Sequence, residues 1–291
     1  MKKPVDRILL YQNRSAAQCV ETTFDFLRAN SRIWLLTSLV LLLPPAILVS
    51  LSVFTVEIYQ SDSFFQTFPL LFEWNHSVNI FFFAMFLVGG MMTYVHAYSL
   101  VMAYQQHGED IDGFSTVMML PFFLPLVRRS LWLALVLFLL LAIAFNSGSF
   151  VAIPLLVFMV PLALLPPAYL IERQRLTTAF RRAMSLGFSA WFQMAVTLFL
   201  LLCFGMVLLT VTQLPMTAFK FITEIIAPNF FDDTDKLILH IFSLGFASLF
   251  YWGVFMVASI LLLGCAFQYG SVADRVEAAS VEGEVDNFES L

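Results

Sequence analysis

The sequence predicts an all-α fold, a polytopic membrane bundle of six transmembrane helices. Three observations predict it. Hydrophobic residues make up 60% of the 291-residue chain and charged residues only 12%, where a soluble domain carries about a quarter charged. Six uncharged runs approach or exceed the roughly 20 apolar residues needed to cross a hydrocarbon core about 30 Å thick: 33–54, 78–104, 130–146, 149–171, 191–212 and 237–269. If six spans alternate, thirteen of the fifteen lysines and arginines share one side, and only Lys220 and Lys236 fall on the other. That asymmetry places both termini in the cytoplasm. The runs are continuous rather than alternating apolar and polar, which excludes a membrane β-barrel.

The opening MKKPVDRILLYQNR has only Ile8, Leu9 and Leu10 as an apolar core, too little for a signal peptide. Residues 16–28 then read as an amphipathic helix, with Ala16, Ala17, Val20, Phe24 and Leu27 on one face and Gln18, Glu21, Asp25 and Arg28 on the other. Arg32 and Trp34 lead into the first run. Before the third run Ile111, Phe114, Met118 and Phe122 begin a weaker copy, which Pro121 and Pro125 must kink or shorten. The third run is short and the sixth long, so the sixth tilts or begins at the interface. Before the fifth run, Leu176, Ala179, Phe180, Ala183, Met184 and Gly187 recur at helical spacing opposite Thr177, Thr178, Arg181, Arg182 and Ser185. Arg128, Arg129, Arg173, Arg175, Arg181 and Arg182 are candidate interfacial anchors, each worth about 1 kcal/mol against anionic headgroups.

Superposing Trp34, Trp132 and Trp191 brings basic residues, a tryptophan and a leucine-rich run into register three times. The returning runs end alike, with Tyr104, Tyr169 and Tyr269 each followed by an acid at Glu109, Glu172 and Asp274. The expected organisation is one membrane domain, 1–275, of three parallel units at about 15–109, 110–172 and 173–275, followed by a short acidic disordered tail at 276–291. The LLPPA motifs at 42–46 and 164–168 fall at non-corresponding places, unlike the paired broken helices of a transporter site.

The segments FDFLRANSRIWLL (24–36), LTTAFRRAMSLGFSAW (176–191) and FQYGSVADRVE (267–277) carry a resemblance to a broad group of bacterial six-helix membrane proteins. The group includes the YciC family and the membrane domain attached to some glycerophosphodiester phosphodiesterases. The opening KKPVDRILLYQNR looks like Bacteroides-type members. The resemblance implies a bacterial inner-membrane location and no known catalytic residues.

Chemistry is sparse in the residues themselves. Cys19, Cys203 and Cys265 are an odd set without CxxC spacing and read as small apolar packers. His96 lies inside the second run with no carboxylate in any span to pair with it. An interhelical hydrogen bond is its bland role, and a proton relay or ligand contact its sharp one. Asp232, Asp233 and Asp235 read as a cap for the sixth span, with a cation site as the sharper alternative. Gly89, Gly90, Gly245, Ser248, Gly253 and Ser259 would let helices approach closely. The phenylalanine-rich stretches 63–74 and 215–231 suit the outer leaflet or a partner. No HExxH, GxSxG or P-loop pattern is present and no cofactor is called for. Two functions compete: a non-enzymatic scaffold or accessory subunit that meets anionic lipids and another membrane subunit, or a transporter or lipid-handling permease with a midplane cavity lined by His96, Tyr98 and Tyr251.

Overall fold

In the computed structural model of this protein, residues 8–60, 77–107, 111–146, 157–222 and 233–289 are described, and the regular structure among them is helical. In chain order the helices are α1 (Ala16–Ala29), α2 (Ser31–Leu41), α3 (Leu43–Gln60), α4 (Ser77–His107), α5 (Leu120–Asn146), α6 (Leu165–Leu170), α7 (Leu176–Ser189), α8 (Trp191–Lys220) and α9 (Asp233–Glu289). Three are long and apolar enough to cross a membrane: Phe81–His107 within α4, Trp191–Phe219 within α8 and Ile238–Val276 within α9. A fourth is added if α2 and α3, bent by 45° at their junction, form one broken span. The third expected run is carried by α5, and the described part of the fourth is the shorter apolar helix Val157–Leu170.

Both LLPPA motifs break a helix. The carbonyl of Ser38 accepts the Leu42 N–H at 2.8 Å to close α2, and α3 restarts with Pro44 and Pro45 in its first turn. Proline is harmless there, because the first-turn N–H groups have no intrahelical acceptor. The second copy repeats the device: residues 163–164 form a turn, and α6 begins with Pro166 and Pro167 at its first positions.

Two amphipathic helices precede apolar ones, α2 of 11 residues and α8 of 30. α1 and α7 are each 14 residues long. Each ends at a single non-helical residue, Asn30 (φ −114°, ψ 28°) or Ala190 (φ −124°, ψ 26°), and the next helix starts at once. A shift of 160 carries Ala16–Ala29 onto Leu176–Ser189, whereas pairing Trp34 with Trp191 requires 157. In the 160 register Thr37 falls on Thr197, both fully or almost fully buried, and their hydroxyls donate to the carbonyls of Ile33 and Gln193. The helix pairing and the tryptophan pairing thus differ by three residues, about one helical turn. Interfacial aromatics are set by depth in the headgroup region, which tolerates such a shift.

The buried stripes are also rotated from those expected. On α1 the core side is Cys19, Val20, Thr23, Phe26 and Leu27, and on α7 it is Ala179, Ala183, Leu186 and Gly187. Phe180 instead faces outward. α1 starts with a reciprocal cap: the Ser15 hydroxyl accepts the Gln18 N–H at 3.4 Å, and the Gln18 side chain accepts the Ser15 N–H at 2.8 Å. The weaker middle copy forms no separate helix. Residues 116–119 are turns, and α5 runs from Leu120 through Pro125 and past Arg128 and Arg129.

α9 packs along α8, α3 and α4, and α4 along α5 and α3. A large core gathers α1, α4, α5, the Val157–Leu170 helix, α7 and residues 260–273 of α9, including Phe26, Tyr98, Leu126, Leu164 and Phe267. A smaller one joins Leu42, Val49, Phe82, Phe83, Tyr251 and Phe255. Gly89 makes room for the Phe255 ring, since a Cβ there would lie 2.1 Å from it. Gly90 and Gly245 meet no neighbour within 4 Å, so only part of the expected small-residue face is used for close approach. α9 is described through 276–289 of the acidic tail, as far as Glu289. Its run of Ala, Glu and Val residues after Arg275 contains no proline to stop the helix.

Candidate functional site

His96 occupies the middle of three helices. It projects from α4 and is fully buried. Its Nε2 lies 3.1 Å from the Trp34 carbonyl oxygen of α2, and its Nδ1 lies 2.8 Å from the Ser259 hydroxyl of α9. A carbonyl only accepts, so Nε2 carries the proton and the neutral ring accepts from Ser259 through Nδ1. Both ring nitrogens are thus occupied by the protein. Ser50 and Ser248 form a second polar bridge, between α3 and α9, at 2.6 Å. Thr197 and Gln268 form a third, between α8 and α9, at 2.9 Å.

Tyr98 and Tyr251, grouped with His96 in the sequence, lie in different hydrophobic clusters. Tyr98 belongs to the large core and stacks with Tyr94 at 6.4 Å between ring centroids. Tyr251 belongs to the smaller core, beside Phe250. It precedes Ser259 by eight residues on one helix, or about 12 Å of rise. The Tyr98 hydroxyl is buried without a hydrogen-bond partner among the described residues.

The polar centre lies instead at the basic end of the bundle and is built around Glu172. The hydroxyl of Tyr269 donates to Oε1 of Glu172, as does that of Tyr11 at 3.3 Å. Arg182 reaches the same oxygen at 3.2 Å, and the Gln174 amide donates to Oε2 at 2.6 Å. Both members of the ion pair are under one-third exposed, at 14% for Glu172 and 31% for Arg182. Four donors from the N-terminal segment, the turn after α6, α7 and α9 thus converge on one carboxylate. Its sequence signal was available: Glu172 is the only acid between Asp112 and Glu224, and it stands among the arginines. What the sequence hid is the convergence, because the partners lie up to 161 residues away.

The N-terminal segment acts as a strap across this end. Ile8 N–H donates to the Tyr104 hydroxyl at 3.0 Å. The Leu10 carbonyl lies against Gly270, where a Cβ would come within 2.1 Å of its oxygen. At Arg14 the backbone N–H donates to Ser271 Oγ at 2.8 Å, while the carbonyl accepts from Ser271 and, at 2.7 Å, from Gln193. Its guanidinium folds back onto the Leu9 carbonyl at 2.7 Å and the Gln12 side chain at 2.6 Å. Burial lowers the Arg14 pKa, with the charges of Cys19 and Asp274 opposing the shift. The same burial pushes the Cys19 thiol up to about 11, which keeps it protonated and inert.

The six anchoring arginines divide. Arg129 donates to the carbonyls of Tyr169 and Arg173, each at 3.0 Å, and lies over the Tyr169 ring at 5.2 Å. Arg182 is tied to Glu172. Arg128, Arg173, Arg175 and Arg181 are exposed. A cleft of about 430 Å³ opens beside Arg173, and a second of about 360 Å³ lies between the strap and α1, lined by Gln12, Arg14, Glu21 and Asp25. Among the described residues no three His, Cys, Asp or Glu side chains converge as a metal site. The stretch 63–74 lies outside the described residues, as does 215–231 beyond Ile222. Asp232 is outside them too, although α9 does begin at Asp233. His240 is exposed. Compared with known proteins, the chain matches no family model, no curated protein and no solved structure.

Proposed function

We propose that this chain is a six-span, non-enzymatic component of a bacterial inner membrane, with both termini cytoplasmic, serving as a scaffold or accessory subunit of a membrane complex. The observation that carries this reading is how its intramembrane polar groups are used. His96, Ser259, Ser50, Ser248, Thr197 and Gln268 tie helices of the bundle to one another. Interhelical bonds of this type are worth about 0.6–2 kcal/mol each and fix helix positions rather than perform chemistry. The outward surface supports the same reading. Trp191–Phe219 is only 22% buried, against 56% for Phe81–His107 and for Ile238–Val276. It presents Phe192, Phe199, Met206, Val207 and Val211 away from the bundle.

The threefold repeat is part of the proposal. It is supported by the equal lengths and equal breaks of the α1–α2 and α7–α8 junctions, and weakened in the middle unit, where turns replace the amphipathic helix. Kinship with the YciC-like group likewise rests on the three sequence segments that carry it.

A mild-detergent pull-down of the tagged protein from its native membrane, combined with photo-crosslinking from Phe199, tests the scaffold reading. A stoichiometric protein partner crosslinked to α8 supports it. His96→Ala should then lower Tm, by about 1–2 kcal/mol of stability, while partner capture per folded molecule is kept. A lone protein carrying one enriched lipid or solute would overturn the reading in favour of transport or lipid handling. The specific observation behind that alternative is the buried Tyr98 hydroxyl, which has no partner among the described residues.

A further inference from the structure

The cleft of about 430 Å³ at the basic end is lined by Gln106, His107, Phe114, Met118, Pro121, Phe122 and Arg173. Its volume falls in the range of small-molecule sites. One wall is aromatic: the His107 ring meets Phe114 edge-on at 4.8 Å and Phe122 at 6.0 Å. His107 Nδ1 is 3.0 Å from the Ala103 carbonyl, so this nitrogen donates and Nε2 is the one left over. The cation of the lining is Arg173. Arg173 is exposed, and no hydrogen bond or ion pair engages its guanidinium among the described residues.

Arg173 is also held in an unusual backbone conformation. Its φ is 54°, the one positive value recorded for a described non-glycine residue. Glycine is the usual occupant of that region just after a helix, because it has no Cβ to clash. Here the strained residue is clamped through its carbonyl by Arg129, itself seated on Tyr169. Strain at a residue whose side chain stands on a cleft wall points to a use for that side chain. Among the described residues of the turn after α4 the acid is Asp112, whose Oδ1 accepts the Arg32 N–H at 2.7 Å. Of the apolar lining Met118 is 60% exposed, and on the adjoining first turns of α5 Leu120 and Leu124 are 51% and 66% exposed.

We infer that this cleft binds the phosphodiester headgroup of an anionic phospholipid. Arg173 supplies the paired donors that a phosphate matches. Gln106 and His107 supply the other polar atoms of the lining, and the acyl chains leave past Met118 over the exposed Leu120 and Leu124 of α5. Arg129 is a positioning residue, because its guanidinium donors go to carbonyls and hold Arg173 in place. A free phosphate ester shares the headgroup chemistry but leaves these exposed apolar residues without an occupant. The inference rests on membrane placement and not on a protein partner, so a failed pull-down leaves it standing.

The test uses the full chain in detergent, titrated by native mass spectrometry with phosphatidylglycerol, phosphatidylcholine and soluble glycerol phosphate. Wild type should hold phosphatidylglycerol in preference to phosphatidylcholine. Arg173→Gly removes the cation while suiting the backbone, so Tm should stay or rise as phosphatidylglycerol binding weakens about fivefold or more. His107→Gln, also in the lining, should weaken it too. Arg175→Ala removes an exposed arginine outside the cleft lining and should change binding less. Equal losses for the Arg173 and Arg175 variants would replace the site with diffuse attraction and overturn the inference. Displacement of phosphatidylglycerol by glycerol phosphate at equal concentration would overturn the lipid assignment in favour of a soluble phosphate.

Discussion

The α1–α2 and α7–α8 junctions have the same backbone and different chemistry. Each breaks a helix for one residue after 14 residues, with dihedrals agreeing within about 10°. At the first junction the break residue is Asn30, whose amide donates to the Phe26 carbonyl at 2.9 Å and whose oxygen accepts the Ile111 N–H at 3.1 Å. At the second it is Ala190, which has no polar side-chain atom to contribute. The asparagine therefore does not cause the break. Its role is tertiary, tying the first junction to the turn after α4, and Asp112 adds to the tie by accepting the Arg32 N–H at the start of α2. A carboxylate at a helix start serves both as hydrogen-bond acceptor and as counter-charge to the helix dipole.

Substitutions at equivalent positions sharpen the contrast. Position 27 holds leucine and position 187, its match in the 160 register, holds glycine. Leu27 is 8% exposed, and Leu27→Ala should cost about 2–4 kcal/mol through lost burial and a residual cavity. Gly187→Ala changes volume in the opposite direction and should also destabilise. The added Cβ would lie 2.5 Å from the Pro161 Cα, a backbone atom that cannot swing aside. Overpacking of about 1–3 kcal/mol outweighs the gain of about 1 kcal/mol in helix propensity. Thermal unfolding of both variants in detergent checks the pair; a stabilising Gly187→Ala would show that α7 does not press on the Val157–Leu170 helix.

Asn30→Ala comes next, at about 2 kcal/mol, because it leaves the buried Ile111 N–H without its acceptor. Asp112→Ala should cost about 1 kcal/mol, and the double variant less than the sum, since both hold one turn against one junction. A denaturant double-mutant cycle reads that coupling. Strict additivity would mean that the two ties are independent.

The smallest effect is alkaline. Cys19 matches Ala179 in the 160 register, so alanine is already accepted at the equivalent place. Burial raises the folded thiol from the ordinary value of 9 to about 11, so between those values the native state keeps a proton that the unfolded chain releases. The contribution is full below pH 9 and is lost as pH rises through about 11. Cys19→Ala should remove this decline and leave a pH-independent loss of about 1 kcal/mol from the deleted buried sulfur, as thermal stability measured from pH 7 to 11 would show. Wild type losing no extra stability over that range would argue against the buried placement of Cys19.

Much of the fold was legible because hydrophobic runs and proline positions are local. Trp191–Phe219, the double-proline breaks and the two amphipathic helices all coincide with features of the sequence. The stripes were misrotated because an interfacial helix has two apolar environments, the core and the lipid, and side-chain type does not distinguish them. Phe180 on α7 shows this: it matches the apolar spacing, yet it is 43% exposed. The polar centre was least legible. Glu172 stood out as a lone acid, but its donors Tyr11, Arg182 and Tyr269 come from separate segments of the chain.

By itself, then, the sequence determined the helical class and the double-proline breaks, because each depends on neighbours within a few turns. Only the tertiary structure decided which partners the isolated polar groups found. His96 met Trp34 and Ser259, Glu172 gathered four donors, and Arg14 fastened the N-terminal strap to α8 and α9. In an apolar bundle a buried polar atom must find a partner wherever the packing brings one, and sequence spacing carries no record of that encounter.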